Sequence, residues 1–239
     1  MVAIARGLGP EFDWLLDDTE ESLLGASDHQ WAIVCLVVSA TYYRDRERLP
    51  WFIGNQLALA IPRHRGRPYR PSPDFCIHPT LGNVRRTALD LVRDGAPALV
   101  VEIASPSTAE EHDLDTLNPA AKPGAYAAAG IAEYLVYDPT ARIIPEEVRA
   151  WRLGPAGAYI PWEPGADGRL HSSLGLALAP ERPILRLYDP QGRPLPTTPD
   201  LARVEREREA LAAQLAQERA ARDREVAALR AELRRLRGE

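Results

Sequence analysis

A chain of 239 residues with 45% hydrophobic and 26% charged side chains is long enough for one domain and an appendage, and ordinary enough to fold without disulfides or a structural metal. Its net charge of −5 argues against a protein that holds nucleic acid by bulk neutralisation of phosphates, so any such role must rest on local basic patches. The longest apolar run, Trp31 to Val38, falls far short of the ~20 residues a membrane-spanning helix needs. No basic, apolar, small-residue leader pattern opens the chain, so no membrane association and a cytoplasmic location are expected.

Residues 11–24 are acidic with an apolar minority and read as a short, partly ordered entry segment. Ser27 followed three residues later by Gln30 is a capping-box pattern, and it predicts a helix over 28–44 that carries the apolar run. The two cysteines, Cys35 and Cys76, lack metal-type spacing and read as buried free thiols. Trp51–Ile61 predicts a strand ended by Pro62, and the basic loop 63–70 then leads to a second short strand at 73–77, the two forming a hairpin. Residues 83–94 fit a short helix or turn.

Ala98–Ala104 is an apolar run broken by one charge, the pattern of a strand buried on both faces. Gly130 closes a helical stretch as a left-handed cap, and Ala132–Asp138 is a further strand ending at Pro139. Strand, helix, strand makes a crossover unit, so part of the sheet is expected to be parallel. Between 147 and 188, EVRAWRL, AYIPWE and ILRLYD are strands expected to extend the sheet as hairpins. Four prolines in residues 190–199 predict an extended linker.

From 200 to 237 the chain has no Pro or Gly and is dense in Ala, Leu, Glu and Arg, which predicts one long helix. Its apolar spacing is mostly three, four and seven, with Glu218 and Arg222 interrupting the seam. A coiled coil with a partner helix, as a homodimer or with another protein, is the expectation there.

Glu102 sits inside the apolar strand, where a carboxylate is costly unless paired or bound to a metal. Asp74 stands in a second short apolar strand, and the two strands are close enough in sequence to be neighbours. Converging carboxylates make a site for a hard divalent cation; the alternative is that each is satisfied by an arginine or a helix cap. Of 29 basic residues, Lys122 is the one lysine, and it falls where the helix after the Glu102 strand begins. A compact ammonium there can stabilise developing charge at a phosphate, a role a planar guanidinium does not fill in the same way. Asp113 and Asp115 in the preceding loop are either outer carboxylates or solvated loop residues. Glu133 and Asp138 read as structural. Arg63, Arg65, Arg67 and Arg70 are candidates for backbone phosphate contacts, or simply an exposed basic loop. His29 and His64 have no ligand-like spacing and are not assigned to metal.

Pro73-Asp74, VVEIASPST at 100–108, and Lys122, Tyr126, Gly130, Glu133, Tyr134, Asp138 and Pro139 in order resemble the Uma-two endonuclease family, a branch of the PD-(D/E)xK restriction-endonuclease-like superfamily. The resemblance runs over roughly residues 25–190, and Asp28-His29-Gln30 is similar to the start of the family's N-terminal helix. It implies a mixed α+β fold (mixed sheet flanked by helices) over 1–190, followed by the linker 191–199 and the charged helix 200–239. It also implies Mg²⁺- or Mn²⁺-dependent hydrolysis of DNA phosphodiester bonds, with Asp74 and Glu102 as metal ligands and Asp74, Glu102 and Lys122 as the catalytic set. The superfamily's lysine usually stands two residues after the glutamate, where this chain has Ala104; Lys122 on the next helix takes its place. The alternative function is a weakly active or inactive nuclease-fold module that binds or assembles through its C-terminal helix.

Overall fold

The computed structural model describes residues 28–105 and 121–237. The entry segment at 11–24, and Asp113 and Asp115, lie outside the described residues. Helix α1 (Asp28–Glu47) leads, and every residue from Ala32 to Thr41 is buried, as expected for a helix apolar on all sides. It lies between two sheets. One face of α1 packs on the strands β1 (Phe52–Gly54), β4 (Phe75–His78) and β6 (Leu99–Ile103), and the other packs chiefly on β12 (Ile184–Tyr188).

The main sheet has six strands in the order β1-β4-β6-β7-β8-β9, with β7 at Glu133–Tyr137, β8 at Val148–Leu153 and β9 at Tyr159–Pro161. Only β6 and β7 in it are parallel, joined through the short helix α2 (Lys122–Ala128), so the expected crossover is present and the sheet is mixed. Gly130 has φ +79°, the left-handed residue that follows α2. Strand alternation divides the core in two. Phe75, Ile77, Leu99, Val101, Ile103, Leu135 and Tyr137 face α1, while Cys76, Val100, Tyr134, Val136 and Trp151 face α2.

Several sequence expectations change in detail. Trp51–Ile61 is not one strand. It splits into β1 and β2 (Ala58–His64), which belong to different sheets; Gly54 is set against Cys76, where a Cβ would come within 2.9 Å of the thiol sulfur. The basic segment 63–70 is itself a hairpin, with β2 returning through Arg65-Gly66 into β3 (Arg67–Tyr69). The partner of the Asp74 strand is therefore β1, not the whole of 51–61. Within 83–94, residues Ala88–Asp90 form β5, parallel to β2, followed by a turn. Strands β10 (Leu170–His171), β11 (Ala177–Glu181) and β12 form a separate three-stranded sheet rather than an extension of the first.

The proline-rich stretch also departs from an extended linker. Leu195 and Thr197 are buried, the Leu195 N–H donates to the Leu187 carbonyl, and the Ser39 hydroxyl donates to the Pro196 carbonyl. Residues 189–192 make a turn through Gly192, Pro194 bridges Tyr188 and Pro199 lies in the helix that follows, so the prolines do not hold this stretch extended. Asp200 accepts from the Thr197 backbone and hydroxyl and pairs with Arg186, fixing the start of helix α3 (Thr198–Arg237). Leu201 packs against the core, whereas Val204, Leu211, Leu215, Val226 and Leu233 are exposed along the helix. Among the described residues no helix is long and apolar enough to cross a membrane.

Candidate active site

The register of β4 against β6 decides where the carboxylates go. Phe75 pairs with Val101 and Cys76 with Val100, so one step further along the antiparallel ladder Asp74 stands opposite Glu102. Asp74 shares the face of Cys76 and Glu102 that of Val100, so both point away from α1 and toward α2. The Ile103 backbone N–H donates to Asp74 Oδ2 at 2.8 Å, locking the aspartate beside the glutamate's strand.

Lys122 is the first residue of α2, with Pro123 in the first turn, a position where proline's missing N–H costs nothing. Its Nζ donates to Glu102 Oε2 at 3.3 Å, so the three residues predicted from sequence are brought together. One turn further along α2, the Tyr126 hydroxyl donates to Glu102 Oε1 at 2.6 Å. Burial pushes the Glu102 carboxyl up to about 7; the Lys122 ammonium opposes that shift, the Asp74 charge adds to it, and the Tyr126 hydrogen bond opposes it.

His29, set aside in the sequence reading, belongs to the site. It sits in the first turn of α1, and its Nε2 lies 3.3 Å from Asp74 Oδ1. That hydrogen bond raises the imidazole pKa against the opposing effect of burial. Its signal was the Asp-His-Gln likeness at the helix start; spacing gave none. Tyr126 was visible as a motif position, but its bond to Glu102 was not. His64 is elsewhere, its ring tilted against that of Tyr69 with centroids 5.3 Å apart.

His29, Asp74, Glu102 and Lys122 line a cleft of roughly 780 Å³ at the carboxyl ends of β6 and β7, the place where open α/β sheets take ligands. Gln56, Thr140 and Arg142 complete its wall. The loop carrying Thr140 and Arg142 is held by Asp138, which accepts from the Thr140, Ile143 and Ile144 backbones and the Thr140 hydroxyl. Glu133 bonds Ser172 and Ser173 on the opposite face, which accords with a structural reading for both acids. Arg63, Arg65, Arg67 and Arg70 are exposed on and just after the β2–β3 hairpin, outside the cleft but on the chain segment that leads to Asp74.

The donor set suits a hard divalent cation. Among the described residues there is no cluster of three or more acidic, His or Cys side chains able to hold a metal. A magnesium-like ion, however, is commonly held by one or two carboxylates, its other positions filled by water and substrate phosphate. Among the described residues each Asp74 and Glu102 oxygen takes one hydrogen bond, which leaves it a second lone pair. Glu102's raised pKa comes chiefly from burial, with the Asp74 charge a smaller contribution in the same direction.

Over residues 19–185 the chain matches the family Uma2, described as "Putative restriction endonuclease". The chain belongs to the Uma2 family. Its description supports nuclease chemistry. A solved structure from Anabaena variabilis ATCC 29413, titled a "putative nuclease belonging to DUF820", is similar at 17% identity and a TM-score of 0.36. That match covers 53% of this chain and 63% of the other. No curated protein matches. Within the Uma2 match fall α1 from its first residue, both carboxylates, Lys122 and Tyr126.

Proposed function

We propose that this Uma2 protein is a metal-dependent endonuclease that hydrolyses DNA phosphodiester bonds in the cleft of Asp74, Glu102 and Lys122. The observation that carries the reading is the buried Glu102, with Asp74 bonded to the backbone of the next residue on its strand and the chain's one lysine donating to it. Asp74 and Glu102 would hold Mg²⁺ or Mn²⁺, which when bound would polarise the phosphate and lower the pKa of a water. Ile103 N–H and His29 orient Asp74, and Tyr126 orients Glu102, so the two carboxylates present fixed oxygens to the cleft. The Lys122 ammonium stands where it can offset negative charge that builds on a phosphoryl oxygen during attack. Exposed Arg63, Arg65, Arg67 and Arg70 would contact backbone phosphates on the approach to the cleft.

Incubation of the purified chain with plasmid and linear DNA, with Mg²⁺ or Mn²⁺ and with chelator, tests the reading. Cutting is expected only with metal, and Lys122→Ala is expected to lower the rate by about 10²–10³-fold with the far-UV spectrum unchanged. Unaltered cutting in that variant removes the role given to Lys122.

A second reading has an observation of its own. The apolar side chains exposed along α3 favour a module that assembles through this helix with a second copy. Light scattering on the full chain and on a chain ending at residue 203 tests this reading; monomers in both overturn the assembly.

A further inference from the structure

A smaller pocket of about 230 Å³ opens between the end of α1, the β1–β2 connection and the loop at 83–87. Its charged lining is Arg44, Arg85 and Arg86, with Asn55, Asn83 and Thr87 among the polar groups and no carboxylate. That is a concentrated positive site on a chain whose net charge is −5.

The arginines have donors to spare. The Arg44 side chain is 7% exposed, and among the described residues only its Nε is engaged, donating at 2.8 Å to the half-exposed Asp45. Arg86 gives Nη1 to Asp94 at 3.1 Å, while its Nε is buried with no partner among the described residues. Asp94 is shared with Arg93, so it does not neutralise Arg86 by itself. Arg85 is exposed and has no ion pair among the described residues. The buried, unpartnered Nε of Arg86 is costly unless an acceptor completes it. The planar forks of several arginines match a tetrahedral oxyanion, and neutral amides of Asn55 and Asn83 can donate beside them.

We infer that this pocket binds a phosphate group. The group can come from a nucleic-acid strand or from a free mononucleotide; Phe52, Leu57 and Val84 in the lining offer an apolar wall to a sugar or base in either case. Placement favours reach from the cleft, because the consecutive residues Asn55 and Gln56 line the pocket and the cleft respectively. A strand whose reacting phosphate lies near Glu102 would be anchored here on its flank, in addition to any hold by the β2–β3 arginines. The strand source rests on the nuclease reading; phosphate binding itself does not.

Titration calorimetry of the full chain in chelator, at low and raised salt, tests the inference with three probes: inorganic phosphate, deoxyadenosine monophosphate and a short single-stranded oligonucleotide. Two variants at exposed positions, Arg85→Glu and Asn83→Asp, place negative charge in the pocket without touching the core. At least one probe should bind, and both variants should weaken it by about tenfold or more. Loss confined to the oligonucleotide assigns the strand as source, and loss with the mononucleotide assigns the free ligand. No binding by any probe, or binding unchanged in both variants while their spectra match the parent, overturns the inference. A chain that binds a probe in chelator, loses that binding in both variants and yet cuts no DNA with Mg²⁺ keeps this inference and loses the catalytic reading.

Discussion

Glu102 and Glu133 stand on neighbouring parallel strands, are 1% and 2% exposed, and differ in what surrounds them. Glu133 is directed to the α1 side of the sheet, where the Ser172 hydroxyl, the Ser173 backbone N–H and Arg152 complete it at 2.5, 2.7 and 3.5 Å. Its partners all come from the protein and close it off from ligand. Glu102, on the other face, has Tyr126 and Lys122 but opens on the cleft beside a second carboxylate. Burial of a charge therefore does not by itself mark a site. What marks it is a charge that the fold leaves incompletely compensated where solvent and substrate can reach.

The comparison breaks most sharply under substitution. Glu102→Gln is expected to lower metal-dependent cutting by about 10³-fold while leaving the urea midpoint unchanged or raised, because it removes a disfavoured buried charge. Glu133→Gln should do the reverse: activity per folded molecule kept, and stability reduced by about 2 kcal/mol in urea titrations as charge-assisted bonds weaken. Equal stability losses in the two variants would erase the distinction. Tyr126→Phe removes the hydroxyl that aims Glu102, and should cost about 10–100-fold in the metal concentration needed for cutting or in rate.

The smallest effect is a pH control on a compensated acid away from the cleft. Burial opposes ionisation of Asp189, but Arg193, Arg46 and backbone donors outweigh it and hold its pKa at about 2 against an ordinary 3.8. A lowered folded-state pKa contributes stability above the unfolded value, lost as the carboxylate is protonated. Denaturation midpoints should thus fall from about pH 4 to about pH 2, and Asp189→Asn should flatten part of that fall.

Much of this was written locally. The run Ala98–Ala104 could only be a buried strand, Gly130 closes α2 at positive φ as expected, and Glu102 announced itself as a charge in an apolar run. Lys122 stood out by composition and by its place after that strand. The division of Trp51–Ile61 into two sheets was hidden, because apolar alternation is the same on both sides of the break at 55–57. The docking of Leu195 was masked by its prolines, and His29 was hidden because its contact spans 45 positions in sequence.

By itself, then, the sequence determined which segments are core, that the β6–β7 connection is a parallel crossover, that residues after 198 favour one helix, and which residues could carry chemistry. These follow from short-range periodicity, turn residues and the cost of burying charge. Only the tertiary structure decided which charges are compensated. The register that sets Asp74 opposite Glu102, the α1 turn that brings His29 to Asp74, and the serines that close Glu133 are contacts between distant segments. No local pattern encodes them, because each depends on which face of the sheet a side chain meets and on what another element has placed there.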